Sequence, residues 1–221
     1  MADADLGLAR PLWREQALIL NFQPARYLHA SWLGLLPEGE LIGRLREAPR
    51  AHPLVSRHLL QAFGLEGRWV EDFSHPWARL ALLDGPWLER LLRRLGLALR
   101  AGALRQDLGG ERMRRLKGTL SQEDWVFLTR ETPLLGRIPE FASEPRETDP
   151  ATRFALIGAR YCALHGLGAM ETPLVRRLAM KLPRDWAAAL DVPRPARPSS
   201  LPPLLSKLLR ELPAPWIPLF A

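Results

Sequence analysis

Residues 149–166, D-P-A-T-R-F-A-L-I-G-A-R-Y-C-A-L-H-G, restrict the fold more than any other stretch of the chain. Their boundaries are those of a helix. Asp149 caps the free N–H groups of a first turn, and Pro150 occupies N1, where a missing N–H is harmless. Gly166 is the residue type that ends helices in a left-handed conformation. Arg153 and Arg160 are seven apart and fall on one line. The remaining circumference is apolar. Phe154, Ile157, Tyr161 and Leu164 form a stripe of large side chains. Ala155, Gly158, Ala159, Cys162 and Ala163 form a strip of small ones, against which a second helix can approach closely. A helix apolar over most of its surface belongs inside a bundle. This one is too short, and too interrupted by arginine, to span a membrane. The segment predicts an all-α protein, an irregular multi-helix bundle around a central buried helix with Phe154, Ile157, Tyr161 and Leu164 in the core.

Residues 12–22 fit a helix or a short strand, since a brief apolar run does not separate the two. Pro24 opens a short helix carrying Tyr27 and Leu28 inward. Residues 40–48 read as an amphipathic helix with Leu41, Ile42 and Leu45 inward. The next helix, opened by Pro53, carries Leu54, Val55, Leu59, Leu60 and Phe63 inward and ends at Gly64. Another runs from Pro76 to Leu83. The clearest amphipathic pattern follows Asp84-Gly85-Pro86: Leu88, Leu91, Leu92, Leu95 and Leu99 on one side, Arg90, Arg93, Arg94 and Arg100 on the other. Ser121 and Asp124 form a variant capping box. Prolines 133, 139 and 145 forbid a continuous helix over residues 131–148. Thr172-Pro173 and Pro183 open two further helices. Residues 191–203, D-V-P-R-P-A-R-P-S-S-L-P-P, read as a semi-rigid linker, before a short apolar helix over 204–212 and the tail P-A-P-W-I-P-L-F-A. The organisation expected is one helical domain over residues 1–190, with 1–20 peripheral, then a Pro-rich linker and C-terminal strap over 191–221.

The chemistry-bearing residues are sparse. The chain carries no G-x-G-x-x-G, P-loop, G-x-S-x-G or H-E-x-x-H motif. Its single cysteine excludes an internal disulfide and a cysteine-based metal cluster. Cys162 and His165 share a helix face, but no third group orients them, and a packed thiol beside a helix-end histidine accounts for both. His52 and His58 point to different sides of their helix. No catalytic, cofactor-binding or metal site is therefore expected. The N-terminus has acids where a signal peptide needs bases, and no segment reaches spanning length, so a cytoplasmic protein without membrane insertion is expected.

The formal net charge is +7, and Lys occurs only at 117, 181 and 207. Arg, Ala, Leu, Pro and Gly enriched together read as codon usage of a GC-rich genome. No nucleic-acid motif supports the charge, so no nucleic-acid partner is expected; a basic nucleic-acid- or small-ligand-binding regulator remains the alternative reading. The arginines of residues 90–100, continued by Arg112, Arg114, Arg115 and Lys117, are either a solvated face or a docking face for an acidic protein surface. Trp216, Ile217, Leu219 and Phe220 either fold back as a strap or meet a partner. The candidate partner-binding residues are Arg90, Arg93, Arg94, Arg100, Trp216 and Phe220. Tyr27 and Trp32 are candidates for the structural core.

Residues 22–33, F-Q-P-A-R-Y-L-H-A-S-W-L, residues 153–168, R-F-A-L-I-G-A-R-Y-C-A-L-H-G-L-G, and the helix ending M-K-L-P at Pro183 resemble the SctK/YscK/PscK family of type III secretion. The resemblance implies a non-enzymatic adaptor of the injectisome sorting platform at the cytoplasmic face of the inner membrane. Its implied partners are the forkhead-associated-like cytoplasmic domain of the ring protein SctD and the pod protein SctQ, which connects onward to SctL and SctN. The resemblance assigns no individual binding residues.

Overall fold

The computed structural model of the chain describes residues 10–106, 110–136, 138–139, 141, 149–192 and 200–220, without the side chains of 10–12 and 111–113. Every regular element among them is helical.

The chain begins with α1 (Arg10–Phe22), which settles the ambiguity of that run in favour of helix, and α2 (Pro24–Tyr27). Then come α3 (Gly39–Arg46), α4 (His52–Ala62) and α5 (Pro76–Arg79), the last continued by a tighter turn, Leu80–Leu82. The long α6 (Gly85–Gln106) precedes α7 (Gly110–Thr119) and α8 (Gln122–Val126). The central α9 (Pro150–His165) is followed by α10 (Thr172–Met180), α11 (Ala187–Leu190) and α12 (Pro203–Leu209).

α9 packs on α6 at the centre. The Asp149 carboxylate accepts from the Thr152 N–H at 2.7 Å, the expected cap. The strip of small residues is the contact with α6. A Cβ on Gly158 would be driven into the carbonyl of Leu92, and one on Gly96 into that of Phe154. Each helix thus offers a glycine where the other's backbone passes, and no other residue type fits. Phe154, Ile157 and Tyr161 are buried as expected, but Leu164 is 37% exposed. Helical geometry explains the difference. At about 100° per residue, Leu164 lies within about 40° of the line through Arg153 and Arg160, the side of α9 that faces solvent. Gly166 also departs from expectation. Its φ of −172° is extended rather than left-handed; glycine is required there because a Cβ would overlap the Trp77 indole.

The core has two parts. The larger surrounds α6 and α9 and takes in residues from α1 to the C-terminal segment. The smaller joins Ala25, Leu28, Ile42, Val55, Leu59, Leu60, Phe63 and Leu65 to Met180. Three leucines expected in this second part face outward instead: Leu41, Leu45 and Leu54, the last 75% exposed. The inner side of α3 is occupied by Ile42 and by Arg46, whose guanidinium donates to the carbonyls of Ala25 and Leu28 at 2.9 and 2.7 Å. On α4, Val55, Ser56, Leu59 and Leu60 turn inward, and Leu54 lies a quarter-turn away.

The two parts are stapled where residues 22–33 meet the end of α10. His29 N–H donates to Met180 O at 2.8 Å, the Trp32 indole to Leu182 O at 2.9 Å, and Arg184 N–H to the Ser31 hydroxyl at 2.8 Å. The Tyr27 hydroxyl donates to Leu20 O at 2.8 Å. Tyr27 and Trp32, both partly buried, serve this junction, and Trp32 also packs edge-to-face on Phe63. Two of the blocks that carry the family resemblance are thereby neighbours in space.

Candidate functional site

The arginine face of α6 is the largest charge cluster singled out in the sequence, and the fold supplies its counter-charges. Arg90 pairs with Glu123, Arg93 with Asp124 at 2.8 Å, and Arg94 with Glu211 at 2.9 Å. Glu123 and Asp124 lie in the first turn of α8, and Glu211 follows α12. Arg90 also lies over the Trp87 ring and Arg94 over that of Phe127, at 4.9 and 5.0 Å. Arg100 interacts within the chain as well. Asp124 is buried, doubly engaged by Arg93 and the Ser121 hydroxyl. Burial pushes the Glu211 carboxyl above its ordinary pKa, with Arg94 opposing that shift. The expectation of arginines pointing freely outward is thus corrected for Arg90, Arg93 and Arg94. They reach from α6 to α8 and to the C-terminal segment. The partners were invisible in the local sequence because they lie between 31 and 117 positions away.

The C-terminal segment returns over the core. Leu204, Leu205, Leu208, Leu209, Leu212, Trp216 and Leu219 are buried in its larger part, and Phe220 packs against it. Lys207 donates to Leu135 O at 2.7 Å, and Arg79 to Leu219 O at 3.0 Å. Trp216 and Phe220 therefore serve the fold in this arrangement. Among the surfaces left open, Phe22 and Trp69 stack at 4.7 Å while each stays more than two-fifths exposed, with Leu18 one turn back from Phe22. A cleft of about 430 Å³ lies between α10 and α11, with Val175, Ala179 and Leu190 on its walls and Arg176 and Asp191 at its edge.

Two buried cations escaped the sequence reading. Lys181 is buried just beyond α10. Its ammonium donates to the carbonyls of Ala81 and Leu83, each at 2.6 Å, and lies 5.2 Å from the centre of the Tyr27 ring. Burial pushes its pKa down to about 7, with Asp84 opposing. Arg177 is fully buried one turn earlier and donates to Leu65 O and Pro173 O. The only signal in the sequence was a charged residue at apolar positions of L-V-R-R-L-A-M-K-L. Cys162 is fully buried, which raises its thiol pKa, and burial lowers that of His165, whose ring stacks on Tyr161 at 4.2 Å. A buried neutral thiol of this kind packs as a small hydrophobe. Among the described residues no group of three or more His, Cys, Asp or Glu is placed to hold a metal, and no helix is long and apolar enough to cross a membrane.

Fold and surface together define an all-α protein with a two-part core, stapled by hydrogen bonds and clamped by ion pairs between distant segments. A family model described as YOP proteins translocation protein K (YscK) matches residues 16–215, and the chain belongs to that family of type III secretion proteins. No curated protein and no solved structure matches the chain.

Proposed function

We propose that this type III secretion protein is a non-enzymatic adaptor of the injectisome sorting platform, acting at the cytoplasmic face of the inner membrane. It links the forkhead-associated-like cytoplasmic domain of SctD to the SctQ pods, and through them to SctL and SctN. The observation that carries the reading is the family match, which over residues 16–215 takes in most of both parts of the core and the start of the C-terminal segment. An adaptor needs two separate docking surfaces on a rigid body, and the stapled, clamped core supports that requirement. Arg90 and Arg93 keep part of their side chains exposed and can contribute at the rim of such a surface while holding their internal partners. The rival reading, a regulator that binds nucleic acid through the arginine face, loses support because internal carboxylates neutralise three of those arginines.

Co-purification tests the proposal. The full chain is expected to hold the SctD cytoplasmic domain and SctQ in one complex, and to bind each alone. Failure to bind either one in isothermal titration overturns the adaptor reading.

A further inference from the structure

We draw no further inference here: the strongest candidate, the exposed apolar patch where Leu18 and Phe22 of α1 meet Trp69 of the loop between α4 and α5, carries nothing because nothing in the structure shows what covers it.

Discussion

Lys181 is a cation held with no carboxylate in direct contact among the described residues. Its ammonium meets two carbonyl oxygens and an aromatic face, and Asp84 is the charged group that acts on it. Burying such a charge is costly unless the protein neutralises it or satisfies each of its donors. The folded-state pKa of about 7 lies below the ordinary lysine value of 10.5. Between those values the unfolded chain holds the extra proton, so the stability passing through this residue rises with pH across that window and is level below it. Wild type should therefore gain about 2 kcal/mol on Lys181→Met between pH 7 and pH 9. Urea unfolding of both proteins at several pH values measures the difference, and parallel stability curves would remove Lys181 as a titrating group. At the same scale, little of this junction was legible beforehand. A lone lysine after an apolar helix reads as a solvated helix end, and only the return of residues 80–83 beneath it makes it a buried donor.

At the scale of elements, the pairing of α6 and α9 was the readable part. The cap, the proline and the strip of small residues on α9 were all in one stretch, and the glycine contacts followed from them. What the other elements would cover was not readable in the same way. Spacing shows that a helix has an apolar side, but it does not show whether anything lies against that side, so Leu41, Leu45 and Leu54 were assigned inward and are not. The arginine side of α6 shows the converse limit, since its counter-charges come from α8 and from beyond α12. This changes what a charge reversal does. On a solvated face each substitution would cost under about 0.5 kcal/mol. Arg93→Glu instead sets a carboxylate against the buried Asp124, and breaking a buried pair costs about 3–5 kcal/mol. Arg93→Glu is expected to lower the melting temperature sharply, and Arg105→Glu, on open surface, to leave it within a degree or two. Equal melting of the two variants would return Arg93 to the solvated class.

At the scale of the whole molecule, the question is whether the C-terminal segment is an arm beside the fold or a part of it. The proline-rich stretch over residues 191–203 reads as a linker in sequence, which favours an arm. Packing argues the other way. Leu205 is inaccessible to solvent, and Leu204, Leu208, Leu209, Leu212, Trp216 and Leu219 are nearly so, all within the core that surrounds α6 and α9. Fully burying a large apolar side chain contributes about 1.5–3 kcal/mol, whereas a domain's net stability is about 5–15 kcal/mol. Freeing the segment returns chain entropy of about 1–2 kcal/mol per residue, which offsets that sum, so the decisive effect falls on the core that the segment covers. Loss of the segment would bare the apolar side of α6 and leave Arg94 without Glu211. Deletion of residues 200–221 is therefore expected to abolish cooperative thermal unfolding and to make the remainder aggregate, a result that circular dichroism and light scattering would register together. A truncated chain that melts cooperatively within a few degrees of the full one would mean instead that the segment is dispensable to the fold and free to engage a partner.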